Sequence, residues 1–249
     1  MSFITNIFHS NSKPKIKNFE LIGTDIHSHL VPNIDDGSDS LEASVEMIKE
    51  MRNLGYKKLI TTPHIMVDYY QNTPEIINKG FDQLKQRLAD EQIDIEISAA
   101  AEYHIDCFIL KKVAHENVLT LKDKYLLFEL SYFNKPTELE NILFELQVAR
   151  FKLILAHPER YSYFHHNFVE YQKLKDRGIL FQMNINSLAG LYAKESKIMA
   201  EKLIKEGMIE LIGSDIHRID QVQLLRQALQ NKYLIELIES GKLLNDKLF

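Results

Sequence analysis

The stretch TDIHSHLVPNIDDGS, residues 24–38, sets His27 and His29 two apart and follows them with Asp35, Asp36 and Gly37. A surface loop gains nothing from two neighbouring histidines, whereas a metal centre does. The same residue types recur down the chain: His64 in TTPH, Glu102 in AAAE, His157 in AHPER, and Asp215 with His217 in GSDIH. Imidazole and carboxylate without thiolate suit manganese, iron or zinc in a working site rather than a cysteine-type structural zinc. One ion takes roughly four to six ligands, so this many candidates imply a cluster of two or three ions. The chemistry such a cluster supports is metal-assisted hydrolysis.

Those residues need elements to bring them together. Short β-prone runs end near residues 26, 63, 101, 131, 156, 185 and 214, with helical patterns between them. Asp39 and Glu42 resemble a capping box, followed by Leu41, Val45 and Ile48 on one face and Gly55 as a stop. Further helices are predicted over 74–91, 137–150, 167–177, 193–206 and 221–240. Strand alternating with helix implies a parallel sheet. Seven such units predict a distorted (β/α)7 TIM-like barrel. An open doubly wound sheet is the alternative, but it would carry a glycine-rich phosphate loop after its first strand, and none is present. In a barrel the candidate ligands all follow strands, so they would meet at the C-terminal mouth. Alternation along a strand lets His27 and His29 face the same way, and Asp25 shares their parity as an orienting partner.

The chain has 249 residues, 45% apolar and 26% charged, which suits one large globular domain or two small ones. The reading here is a single domain over 20–249 behind an N-terminal extension, 1–19, whose Phe3, Ile4, Ile7 and Phe8 could form a short apolar face. A net charge of −5 with interspersed signs argues against nucleic acid as a partner. No apolar run reaches the roughly 18 residues of a transmembrane segment, and the start lacks the marks of a secretory signal. The one cysteine, Cys107, fits a reducing, cytoplasmic setting. An arginine six residues after it would mark a cysteine-nucleophile phosphatase; Val113 stands there, which excludes that class.

DIHSH, TTPH, the AE of AAAEYH, AHPERY and GSDIH, in this order, resemble the polymerase and histidinol phosphatase (PHP) superfamily. DIHSHLVPNIDDGS and AHPERY are similar, more narrowly, to the manganese-dependent protein-tyrosine phosphatases of bacterial capsule and exopolysaccharide loci, over about residues 20–240. The resemblance implies a PHP-type barrel in which His27 and His29 bind one ion with Glu102 and Asp215. Glu102 would bridge to a second ion held by His64 and His157, and Asp36 with His217 would hold a third. It implies manganese as the metal, with iron and zinc fitting the same donors. Arg160 would bind the phosphoryl oxygens, for which a planar guanidinium is suited. A metal-activated hydroxide would attack phosphorus in line without a covalent phosphoenzyme. The implied substrate is the phosphotyrosine-bearing tail of a bacterial tyrosine kinase that controls polysaccharide export.

Other residues carry two readings. Asp36 is read as a ligand although DDGS is also an ordinary turn, to which Asp35 is assigned. Arg218 is a candidate for substrate contact, and either it or Arg226 could stand for a second arginine of the family. Tyr69 and Tyr70 could flank the entrance and stack on a phenyl ring, or simply hold their loop. Glu129 and Asn184 could line the mouth, support a ligand from behind, or make structural hydrogen bonds, while His104, His165 and His166 are read as structural or solvated. The rival functions are a histidinol-phosphate or other small-molecule phosphoesterase of the same superfamily and, more distantly, a non-catalytic metal-binding scaffold.

Overall fold

In the computed structural model the described residues are 16–106, 108–115 and 117–249. Cys107, His9 and the apolar face at 3–8 lie outside them. Strands β1 (Thr24–Asp25), β2 (Lys58–Thr61), β3 (His64–Ile65), β4 (Glu96–Ala99), β5 (Glu102–His104), β6 (Tyr125–Glu129), β7 (Lys152–Ala156), β8 (Leu180–Asn184) and β9 (Leu211–Gly213) form two parallel sheets. Their orders are β1-β2-β4 and β3-β5-β6-β7-β8-β9. β2 runs on into β3 and β4 into β5, for the Ala100 N–H donates to Thr61 O and the Glu102 N–H to Pro63 O across the break. The predicted seven strand positions are thus present, in sequential order, as a distorted barrel.

The ring meets itself between the first and last positions, where the described strands form no ladder. The Asp215 N–H donates to His27 O at 2.8 Å, the His29 N–H donates to Ile216 O at 2.9 Å, and Ser28 bridges Ile216 in parallel. Lower on this seam the Asn245 side chain stands in for a strand partner. It donates to Thr24 O (3.0 Å) and Ile212 O (2.7 Å) and accepts from the Ile212 N–H (3.1 Å).

Helices α1 (Leu41–Asn53), α2 (Pro74–Asp90), α3 (Ile109–His115), α4 (Leu139–Val148), α5 (Ser162–His165), α6 (Phe168–Asp176), α7 (Ile185–Ala189), α8 (Lys194–Lys205), α9 (Gln221–Ala228), α10 (Lys232–Glu239) and α11 (Asn245–Leu248) connect and cover the strands. α2 shows why they form: Thr73 accepts the Ile76 N–H, Pro74 sits where no N–H is needed, and Ile77, Phe81, Leu84 and Leu88 make one buried stripe. Two helix expectations are corrected. The cap of α1 is Ser40, whose hydroxyl accepts from the Ala43 N–H, not Asp39. The helix expected over 221–240 is two, because Asn231 leaves the helix and caps the Tyr233 N–H of α10.

The two-residue period of the strands sorts the core into two layers. Leu127, Ile154 and Ala156 join Ile26, Ile60 and Leu211 inside the barrel, with Phe249 packed against them. Leu126, Phe128, Leu153 and Leu155 face the helices instead. Packing reaches back into the segment read as an extension, since Ile16 and Phe19 are buried and Phe19 stacks on Tyr56 at 5.0 Å. Among the described residues no helix is long and apolar enough to cross a membrane.

Candidate metal centre

His27 and His29 leave the end of β1, His64 and Glu102 open β3 and β5, Glu129 ends β6, and His157 and Asp215 follow β7 and β9. All seven point into one buried cluster; His217 closes it at one side and Asp36, whose side chain is 55% exposed, caps it. His157 (φ 35°) and Asp215 (φ 50°) adopt left-handed backbone, a conformation that L-residues hold only where their surroundings enforce it.

Three imidazoles are anchored on one nitrogen and present the other. His27 Nδ1 lies 2.6 Å from Gln182 Oε1, which must accept because Gln182 Nε2 donates to Asn184 Oδ1. His29 Nδ1 donates to Asp35 Oδ2 (2.8 Å), and His217 Nδ1 donates to Asp215 O (2.9 Å). Each Nε2 therefore carries its lone pair inward. There they meet other acceptors: His27 Nε2 is 3.3 Å from His29 Nε2, 3.2 Å from Glu102 Oε2 and 3.3 Å from Asp215 Oδ1. Glu102 Oε1 also pairs with His157 Nε2 at 2.9 Å, while His64 Nδ1 stands 3.1 Å from Glu102 Oε2 without hydrogen-bond geometry.

Such a gathering of lone pairs is stable only around positive charge, supplied by protons or by metal ions. Among the described residues, four groups have donor atoms that all lie within 4.8 Å of one another inside the group: His27–His29–Asp215, His27–Glu102–His157, His64–Glu102–Glu129 and His29–Asp36–His64–His217. Among the described residues, the buried Nδ1 atoms of His64 and His157 have no hydrogen-bond partner. The protonation balance reflects the same demand. Burial opposes a charged His64, but Glu102 and Glu129 beside it push its pKa up to about 9. Burial likewise opposes charge on Glu102 and Asp215, yet the facing histidines hold both well below the usual carboxylate range. The residues present fit divalent ions.

Beside the cluster opens a cavity of about 530 Å³, lined by Arg160, Tyr69, Tyr70, Tyr132, Phe133 and Arg218 among others. Arg160 lies in the rigid turn after His157. The Tyr171 hydroxyl donates to Pro158 O, and Glu159 Oε1 accepts from the Asn184 N–H and the Ser187 hydroxyl. Burial pushes the Glu159 carboxyl up to about 7. Arg160 Nη1 donates to Asp215 Oδ2 at 3.2 Å.

Some neighbours differ from the sequence reading and others match it. Asp35 does more than shape a turn: it holds His29 and accepts the His64 N–H (3.1 Å). Among the described residues Asp25 makes no hydrogen bond to a histidine side chain; it accepts from the Ser214 N–H (2.8 Å) and hydroxyl (2.6 Å) and so ties β1 to β9. Glu129 belongs to the cluster, and the Asn184 side chain donates to Asp215 Oδ2 at 2.5 Å. Arg218 lines the cavity, whereas Arg226 pairs with Glu50 at 2.5 Å and is absent from the lining. Tyr70 stacks on His64, and Tyr69 is 74% exposed at the rim. His104 touches Glu129 at 3.4 Å, and His165 takes Glu159 O at 2.8 Å, a structural contact. Tyr132 and Tyr192, which no motif singled out, both carry the Arg160 guanidinium over their rings.

Comparison with known proteins agrees with this geometry. The model of the family described as "Capsular polysaccharide synthesis, CpsB/CapC" matches residues 23–233. The chain is 31% identical to the tyrosine-protein phosphatase YwqE of Bacillus subtilis (strain 168) over 196 residues, 78% of this chain and 77% of that protein. It is 26% identical to the tyrosine-protein phosphatase CpsB of Streptococcus pneumoniae over 202 residues, 79% of this chain and 83% of that one. A structure from the work on YwqE and CpsB, described there as unique metal-dependent tyrosine phosphatases, superposes with a TM-score of 0.81 at 28% identity, covering 90% of this chain and 93% of that chain. The histidinol phosphate phosphatase of Lactococcus lactis subsp. lactis shares the fold, with a TM-score of 0.51 at 17% identity over 88% of this chain and 93% of that one.

Proposed function

From its place in the CpsB/CapC capsular polysaccharide synthesis family, to which this chain belongs, we propose that it is a metal-dependent protein-tyrosine phosphatase. One observation carries the reading: a buried histidine–carboxylate cluster and a rigidly held arginine meet at Asp215, beside a cavity rimmed with aromatic side chains. His27, His29, His64, Glu102, His157, Asp215, His217 and Asp36 would hold two or three ions, with manganese preferred, and Glu129 joins them on geometric grounds. When bound, such ions supply Lewis-acid charge and activation of a water nucleophile.

The chain's own residues do the rest. Arg160 binds the phosphoryl oxygens through the N–H groups that Asp215 leaves free and offsets the charge that develops on them. Gln182, Asp35 and the Asp215 carbonyl fix the ring orientations of His27, His29 and His217, so that no reorganisation is needed when substrate arrives. Tyrosinate, with a pKa near 10, leaves with little help from an acid. Tyr69 and Tyr70 at the rim, with Arg218, would contact the substrate. The substrate would be a phosphotyrosine-bearing protein, the tail of a tyrosine kinase governing capsule or exopolysaccharide synthesis, in the cytoplasm. The decisive test is kcat/KM, with manganese added, for a phosphotyrosine peptide against histidinol phosphate. Preference for the peptide, lost in Arg160→Ala and His157→Ala, is expected; preference for histidinol phosphate would sink the substrate assignment.

A further inference from the structure

We propose that Tyr192 and Tyr132 are positioning residues that hold Arg160 as a preset phosphate clamp and couple it to the acids of the metal cluster, an inference that rests on the reading of Arg160 as the phosphate-binding arm. The Arg160 guanidinium carbon lies 4.0 Å from the ring centroid of Tyr192 and 4.5 Å from that of Tyr132. Two aromatic contacts on one guanidinium restrict both its tilt and its departure toward solvent. Among the described residues, its one ion pair is Nη1 to Asp215 Oδ2. Guanidinium has five donor hydrogens in a fixed plane, so fixing one edge leaves the others available to an anion in the cavity.

The hydroxyls extend the arrangement. Tyr192 donates to Asp215 Oδ2 at 3.0 Å, the same oxygen that Arg160 and Asn184 reach. With three donors on Oδ2, Oδ1 is left to His27 and His29. Tyr132 donates to Glu129 Oε2 at 3.3 Å. Each tyrosine thus has its ring on the arginine and its hydroxyl on an acid of the cluster. A ring that only filled space would need no hydroxyl aimed at an acid of the cluster.

The test uses the full chain with manganese and four variants: Tyr192→Leu, Tyr132→Leu, and the Phe counterpart of each. The readouts are the inhibition constant for inorganic phosphate, kcat and KM on para-nitrophenyl phosphate, and manganese retained per chain. The Leu variants should weaken phosphate binding on the order of tenfold and raise KM, with manganese retained; the Phe variants, which keep the rings, should lose only about twofold to threefold. In an Arg160→Ala background the Leu substitutions should cost no further phosphate affinity. Phosphate constants within twofold of the parent in both Leu variants, or losses that add fully to that of Arg160→Ala, would overturn the clamp. If the parent turns over no aryl phosphate, the phosphatase reading fails by itself. Calorimetric phosphate binding to parent and variants then decides the clamp, and absence of binding to the parent overturns it.

Discussion

Asn245→Ala tests whether the seam of the barrel depends on one amide. The Asn245 side chain is buried and serves three backbone groups of two strand positions that do not pair with each other there. Truncation leaves the buried Ile212 N–H without its acceptor and removes a donor from two carbonyls. A buried group left unsatisfied costs about 1–3 kcal/mol, and the three share one site, so the losses do not simply add. About 3–5 kcal/mol is expected in total, which for a chain of this size lowers Tm by roughly 10 °C. Asn245→Asp should be at least as damaging, because it keeps an acceptor for Ile212 but turns an anion toward two carbonyl oxygens. The assay is thermal unfolding of the chelator-treated protein, so that bound metal does not mask the change. Amide exchange at His29 and Asp215, whose N–H groups bridge the same seam, should accelerate in parallel. A Tm within about 3 °C of the parent for both variants would refute the view that this amide closes the ring.

Two further outcomes follow from the support beneath the ligands. Gln182→Leu strands the Nδ1–H of His27 in a buried site and frees its ring to turn, so manganese affinity should fall about 10- to 100-fold in a calorimetric titration. Gly37→Ala would drive a Cβ into the Cβ and carbonyl oxygen of His29. About 1–3 kcal/mol of stability should go, together with a weakened metal site, measured by urea unfolding and manganese binding side by side.

How much of this was legible in the sequence depended on whether a residue's role shows in its type. The strands announced themselves as short β-prone runs, and the ligands by falling just after those strands, since imidazoles and carboxylates at successive strand ends have little other reason to be there. Boundaries failed where one polar residue decided them: Ser40 rather than Asp39 caps α1, and Asn231 divides what reads as one amphipathic run. Roles failed where they depend on direction. Asp35 and Asp36 are neighbours of identical chemistry, and only the path of the turn, with Asn33 at φ 60°, sends one toward His29 Nδ1 and the other toward His64 and His217. Tyr132 and Tyr192 lie 60 positions apart in loops with no shared pattern, so their meeting over Arg160 exists only in three dimensions. The layer that could be read is the one whose donor atoms the chemistry requires. The layer that could not is the one that aims those atoms, because aiming can be done by an amide, a carboxylate, a carbonyl or a ring face, and a sequence that uses all four leaves no single signature.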